Sequence, residues 1–147
     1  LNAAKWGGVR LTLEHLPEIR SALKTDPEFG TNSLRLEDVI RRFCGERVSV
    51  LPIPELTLSR LAGHISSGGA AIVLAAPVSD RLRRQNHYFL VCGTEDGCFS
   101  TVNFNSARES LVDRATMRET LRACRGSKRW LPQGWLLEQS GIRVKAS

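Results

Sequence analysis

Aromatic residues are scarce in this chain, at 6% of its 147 residues. No apolar run approaches the roughly 18 residues that cross a bilayer, and the longest, Ala70 to Val78, is about one strand long. A membrane-spanning helix is therefore excluded. No CxxC pair occurs among Cys44, Cys92, Cys98 and Cys124, and no Cys/His cluster has zinc-ligand spacing, so no structural metal is expected. Four cysteines in a chain of this length do not make a disulfide-built scaffold. They read as free thiols, which implies an intracellular, reducing compartment. The segment Leu1 to Gly8 lacks the charged start and long apolar stretch of a secretory signal. It also lacks an initiator Met, which reads as a processed or excised fragment with residues missing upstream. Internal repeats and linkers are absent too.

What is present is ordinary for a globular domain: 41% apolar and 24% charged residues, enough to bury one core. A disordered or collagen-like chain is excluded. The net charge is +6 and uneven. From Ser106 onwards nine Lys/Arg stand against four acids. A nucleic-acid footprint is one reading of that excess. A solvated basic helix face is the other, and the interspersed acids and lack of alternating aromatics favour it.

Periodicity divides the chain into elements. Leu11 to Leu23 has helical spacing, with Pro17 starting or kinking its second part. Ser33 suits an N-cap, and Leu36, Val39, Ile40 and Phe43 form an apolar stripe that Gly45 stops. Val48 to Ile53 alternates as a short strand. Thr57 or Ser59 opens a helix carrying Leu58, Leu61 and Ile65. Ala70 to Ala76 reads as a buried strand and Val78 to Asn86 as an Arg-rich loop. His87 to Gly93 and Cys98 to Phe104 are strands joined at the Glu95-Asp96-Gly97 turn. Arg108 to Arg125 reads as a basic helix. Trp135 to Leu137 and Gly141 to Val144 are candidates to close the sheet. Helices, then mostly antiparallel strands, then a helix make an α+β fold.

The chemistry concentrates at His87, where a polar loop meets an apolar strand. Asn103 and Asn105 lie 16 and 18 residues on, opposite or diagonal to His87 once the hairpin closes. An amide oxygen there would hold the imidazole by its N–H and fix its tautomer, the base-plus-orienter half of a nucleophilic site. A histidine that merely caps a strand end is the alternative.

The segment "SGGAAIVLAAP…NHYFLVCGTEDGCFSTVNFNS" resembles the papain-like fold, specifically the C39-like branch of small cysteine peptidases. The likeness runs from about Ser33 to Asn105 and rests on the order His, strand, Gly-x-x-Asp-Gly, strand, Asn. It implies a single papain-like domain over 1–147, helical to about 47 and sheet-forming from about 48. It implies that His87 is the general base and Asn103 or Asn105 its orienter, that no cofactor is needed, and that the substrate is a peptide or protein. A helix N-terminus is where the family carries its nucleophilic Cys. That place here is Ala3-Ala4-Lys5-Trp6-Gly7-Gly8, without a Cys. Three readings stand: Ala3 or Ala4 replaces the thiol; the chain is a natural pseudo-enzyme that only binds; or another residue serves, Cys44 being the one upstream thiol, though its place on a helix stripe suits packing. The resemblance also offers Asn2 as an oxyanion donor. Trp6, Arg84 and Asn86 would border the substrate cleft, where Arg81, Arg83 and Arg84 would favour acidic or extended polar substrates. An effector or polyprotein origin, in or delivered to a host cell, is compatible with the likeness. A non-catalytic peptide- or protein-binding module and a basic nucleic-acid-binding domain are the alternatives, nucleic acid being the less favoured partner.

Overall fold

The computed structural model describes residues 1–24, 35–75, 87–104, 108–124 and 132–140, with His87, Ala123 and Cys124 described by their backbone alone. A short helix α1 (Asn2–Trp6) leads to a 3₁₀ turn at Leu13–His15 and to α2 (Leu16–Leu23). Pro17 stands in the first turn of α2, where no backbone N–H is required of it. Then come α3 (Leu36–Cys44), β1 (Val48–Ile53), α4 (Leu58–Ser66), β2 (Ala70–Ala75), β3 (His87–Glu95), β4 (Cys98–Val102), β5 (Glu109–Val112), α5 (Arg114–Cys124) and β6 (Gly134–Gln139). The fold is α+β.

The six strands form one sheet in the order β1-β6-β2-β3-β4-β5, with every neighbouring pair antiparallel. β6 joins the sheet, as the sequence suggested for Trp135 to Leu137, and it does so centrally, inserted between β1 and β2. The reason is its own composition: Gly134 to Leu137 are all buried, as a central strand requires. The second closing segment proposed, Gly141 to Val144, lies outside the described residues, as does the Ser33 cap.

Alternation along the strands sorts side chains into two cores. Val48, Val50, Ala70, Leu74, Leu90, Trp135 and Leu137 belong to one, with Ala4 of α1 and Leu36, Ile40 and Cys44 of α3. Val73, Phe89, Val91, Phe99 and Leu136 belong to the other, with Leu61 and Ile65 of α4 and Met117 and Leu121 of α5. Each large apolar side chain buried in this way contributes about 1.5–3 kcal/mol. Thr57 caps α4 by accepting the N–H of Arg60.

One expectation is corrected here. Arg108 to Arg125 is not a single helix: Glu109–Val112 pairs with β4 as β5, and the helix begins at Arg114. Asp113 sets that start. Its carboxylate accepts the Thr116 N–H at 2.7 Å and the Thr116 hydroxyl at 2.9 Å, which ends the strand and opens the helix.

Candidate active site

β3 begins at His87, and its backbone pairs with Ala75 at the end of β2. The hairpin returns β4 alongside, with Val91 opposite Thr101 and Leu90 opposite Val102. A bulge at Cys92 absorbs one extra residue. Beyond Val102 the strand stops, and Asn103 adopts a left-handed backbone, φ 66°. Asparagine tolerates that conformation better than most residues.

The turn at Asn103 does two things. Val102 packs toward the core of α1 and α3, whereas Phe104 sits in the core of α4 and α5. Strict alternation would leave both on one face; the left-handed residue between them turns Phe104 across the sheet. There Phe104 is 1% exposed and meets Phe89 edge-on, with centroids 5.0 Å apart and planes at 84°. Asn103, pinned between them, donates from Nδ2 to the Tyr88 carbonyl at 3.0 Å. Tyr88 is the neighbour of His87, so the structure brings the Asn103 carboxamide to the His87 end of β3. With its NH₂ group engaged, Asn103 keeps Oδ1 as an acceptor. Asn105, Arg84 and Asn86 lie outside the described residues.

The other sequence-predicted residues lie on α1. Ala4 is 3% exposed, Ala3 is half-buried and Asn2 is exposed. Trp6 is half-buried against the sheet, and its carbonyl accepts a hydrogen bond from Gln139 Nε2. Gly7 follows against Val48, and the Arg47 guanidinium donates to the Gly8 carbonyl at 3.1 Å. Val48 and Gln139 are paired at the end of the sheet where β2 begins, and His87 pairs where β2 finishes. Roughly 16 Å of strand separates those ends. Along its length α1 also packs against β3, and Ala4 shares a core with Leu90, against which Tyr88 packs.

Cys44 is 7% exposed, and burial pushes its thiol above the usual cysteine range. A thiol so placed is a poor nucleophile, and its role is to pack against Ile40 and Val48. Cys92 is raised as well, first by burial and then by the Glu109 carboxylate. Cys44, Cys92 and Cys98 are free thiols. His64 on α4 bonds through Nε2 to the Leu137 carbonyl at 2.9 Å, and His15 accepts the Thr12 N–H at Nδ1. Neither joins the site. Among the described residues no three His, Cys, Asp or Glu side chains gather to hold a metal.

Sequence reasoning missed Gln139 and Arg47, which cap the C-terminal carbonyls of α1. No signal in the chain links positions 6 and 139; only the strand order does.

The architecture matches solved structures. The peptidase domain of Streptococcus ComA, a bi-functional ABC transporter involved in a quorum-sensing pathway, aligns with a TM-score of 0.59 over 92% of this chain and 82% of that one, at 12% identity. A C39-like peptidase from Bacillus anthracis aligns with a TM-score of 0.62 over 93% and 84%, at 8% identity. The chain has the C39-peptidase fold. At these identities the C39 likeness concerns the fold alone. No family model matches the sequence, and no curated protein does. Among the described residues no helix is long and apolar enough to cross a membrane.

Proposed function

We propose that the chain is a cysteine-peptidase domain of the C39 type, in which His87 is the general base and Asn103 its orienter. The observation that supports this most is the Asn103 carboxamide, held at the His87 end of β3 by its Nδ2 bond to the Tyr88 carbonyl, which leaves Oδ1 as the acceptor for an imidazole N–H. Asn103 suits the role better than Asn105, because a left-handed backbone and the Tyr88 carbonyl already fix its side chain. The oriented ring nitrogen opposite that bond takes the proton of a thiol. The thiolate attacks the peptide carbonyl, and the proton passes to the leaving amine; water then releases the acyl group. Asn2 would donate to the oxyanion. Trp6, Arg84 and Asn86 would border the peptide. No cofactor enters these steps.

The thiol must come within hydrogen-bond reach of His87. Ala3 or Ala4 is the proposed seat, and Ala3 suits it better, since Ala4 is enclosed by the core. The packing of α1 against β3 keeps both seats on the side of the sheet that Tyr88 and Leu90 face; the second reading is a non-catalytic module that holds a peptide on the same fold. Cysteine placed at Ala3 and, separately, at Ala4 tests the two. A thiol-directed peptide probe that labels either variant, and fails when His87→Ala is added, supports the peptidase. No labelling of either variant supports the binding module, or a nucleophile off α1, which the encoded residues before Leu1 would reveal.

A further inference from the structure

The basic excess of the sequence acquires a location in α5. Arg114, Arg118 and Arg122 follow one another every fourth residue, and all three are exposed. Successive guanidinium stems stand about 6 Å apart along the axis, over about 12 Å in all. The buried side of this helix is Met117, Thr120 and Leu121, so the arginine stripe runs beside the core contact and open to solvent. Arg114 lies over the Phe99 ring at 5.9 Å. Among the described residues none of the three forms an ion pair, Glu119 on the same helix included; Arg41–Glu37 and Arg42–Glu18 are paired on the other face of the sheet.

Helix stability accounts for Arg122, a cation in the last turn, but not for Arg114 and Arg118. Like charges four residues apart repel. A cation at the first helical position opposes the dipole, and the Asp113 carboxylate that caps this end offsets it only in part, being engaged by Thr116. The fold thus tolerates a small, repeated cost on one exposed line.

We propose that this line docks an acidic polypeptide segment, helical and bearing carboxylates one turn apart. Carboxylates at that spacing repeat at the same 6 Å interval and meet each guanidinium in turn. The aromatic side chains on this face of the sheet, Phe89, Phe99 and Phe104, are all buried; the stripe has no platform on which bases would stack, which favours a protein partner over single-stranded nucleic acid. The inference stands apart from the peptidase reading, because α5 contributes no residue to that site.

Fluorescence anisotropy with a labelled helical peptide carrying glutamate at every fourth position, beside a labelled DNA duplex, tests it. Arg118→Glu with Arg122→Glu should weaken peptide binding about tenfold. Arg20→Glu with Arg35→Glu, an equal change of net charge at exposed positions elsewhere, should leave it within about twofold. Equal weakening by both pairs would overturn the proposal, and so would a duplex that binds as tightly as the peptide at the same salt.

Discussion

Asn103 and Tyr88 are joined by a side-chain-to-backbone hydrogen bond of 3.0 Å that spans the β3–β4 hairpin at its open end. The bond fixes where a carboxamide stands relative to the first residue of β3, and its removal should be measurable in stability alone. Asn103→Ala loses both the bond and a side chain suited to φ 66°, and should cost about 2 kcal/mol. Asn103→Gly restores the backbone freedom without the bond and should cost about half as much. Urea unfolding of the two variants separates these contributions.

Gly7 carries no side chain because a Cβ there would overlap Val48 Cγ2. Gly7→Ala should destabilise by about 1–3 kcal/mol. Val48→Ala introduced with it should recover part of the loss, a non-additivity that thermal unfolding of the double variant will detect.

Gln133 is 5% exposed and ties three elements together: Oε1 accepts the Leu56 N–H at 2.7 Å, and Nε2 donates to the Leu121 carbonyl at 2.7 Å. Gln133→Ala leaves both backbone groups buried without partners. A loss of about 2–4 kcal/mol is expected, read from the denaturation midpoint.

Much of this architecture was legible in the sequence. The stripe of α3 and the β2–β3–β4 run appear where periodicity puts them, because each combines a clear repeat with a strong stop, Gly45 for the helix and Asp96-Gly97 for the hairpin. β5 was not legible. Glu109 to Val112 is too short to show alternation, and Arg108 and Arg114 on either side read as one basic helix until the Asp113 cap is seen. The position of β6 depends on contacts far apart in sequence. The hairpin that sets Asn103 against Tyr88 was legible, whereas the anchoring of the end of α1 by Gln139 and Arg47 is a property of the assembled sheet.

Asp113 offers a pH test with a definite sign. Hydrogen bonds from Thr116 hold its carboxyl below the usual carboxylate range. A group depressed in the folded state stabilises above its unfolded pKa and loses that contribution as pH falls through the folded one. Asp113→Ala should therefore lower stability near neutrality and lie closer to the wild type in strong acid. The Cys44 thiol acts at the other end of the scale: burial raises it, so its contribution is complete below the unfolded thiol pKa and declines as pH rises above it. Cys44→Ala should flatten the alkaline limb of the stability curve while costing packing at neutral pH.

The pairing of base and orienter is tested most directly by nitrogen-15 NMR of the histidine rings. With three histidines in the chain, His87→Ala assigns the relevant signals. The account predicts that His87 holds one tautomer, with its N–H on the Asn103 oxygen, and that Asn103→Ala releases the ring to a mixed tautomer and shifts its titration. An imidazole whose tautomer and titration are the same with and without the Asn103 carboxamide would contradict it.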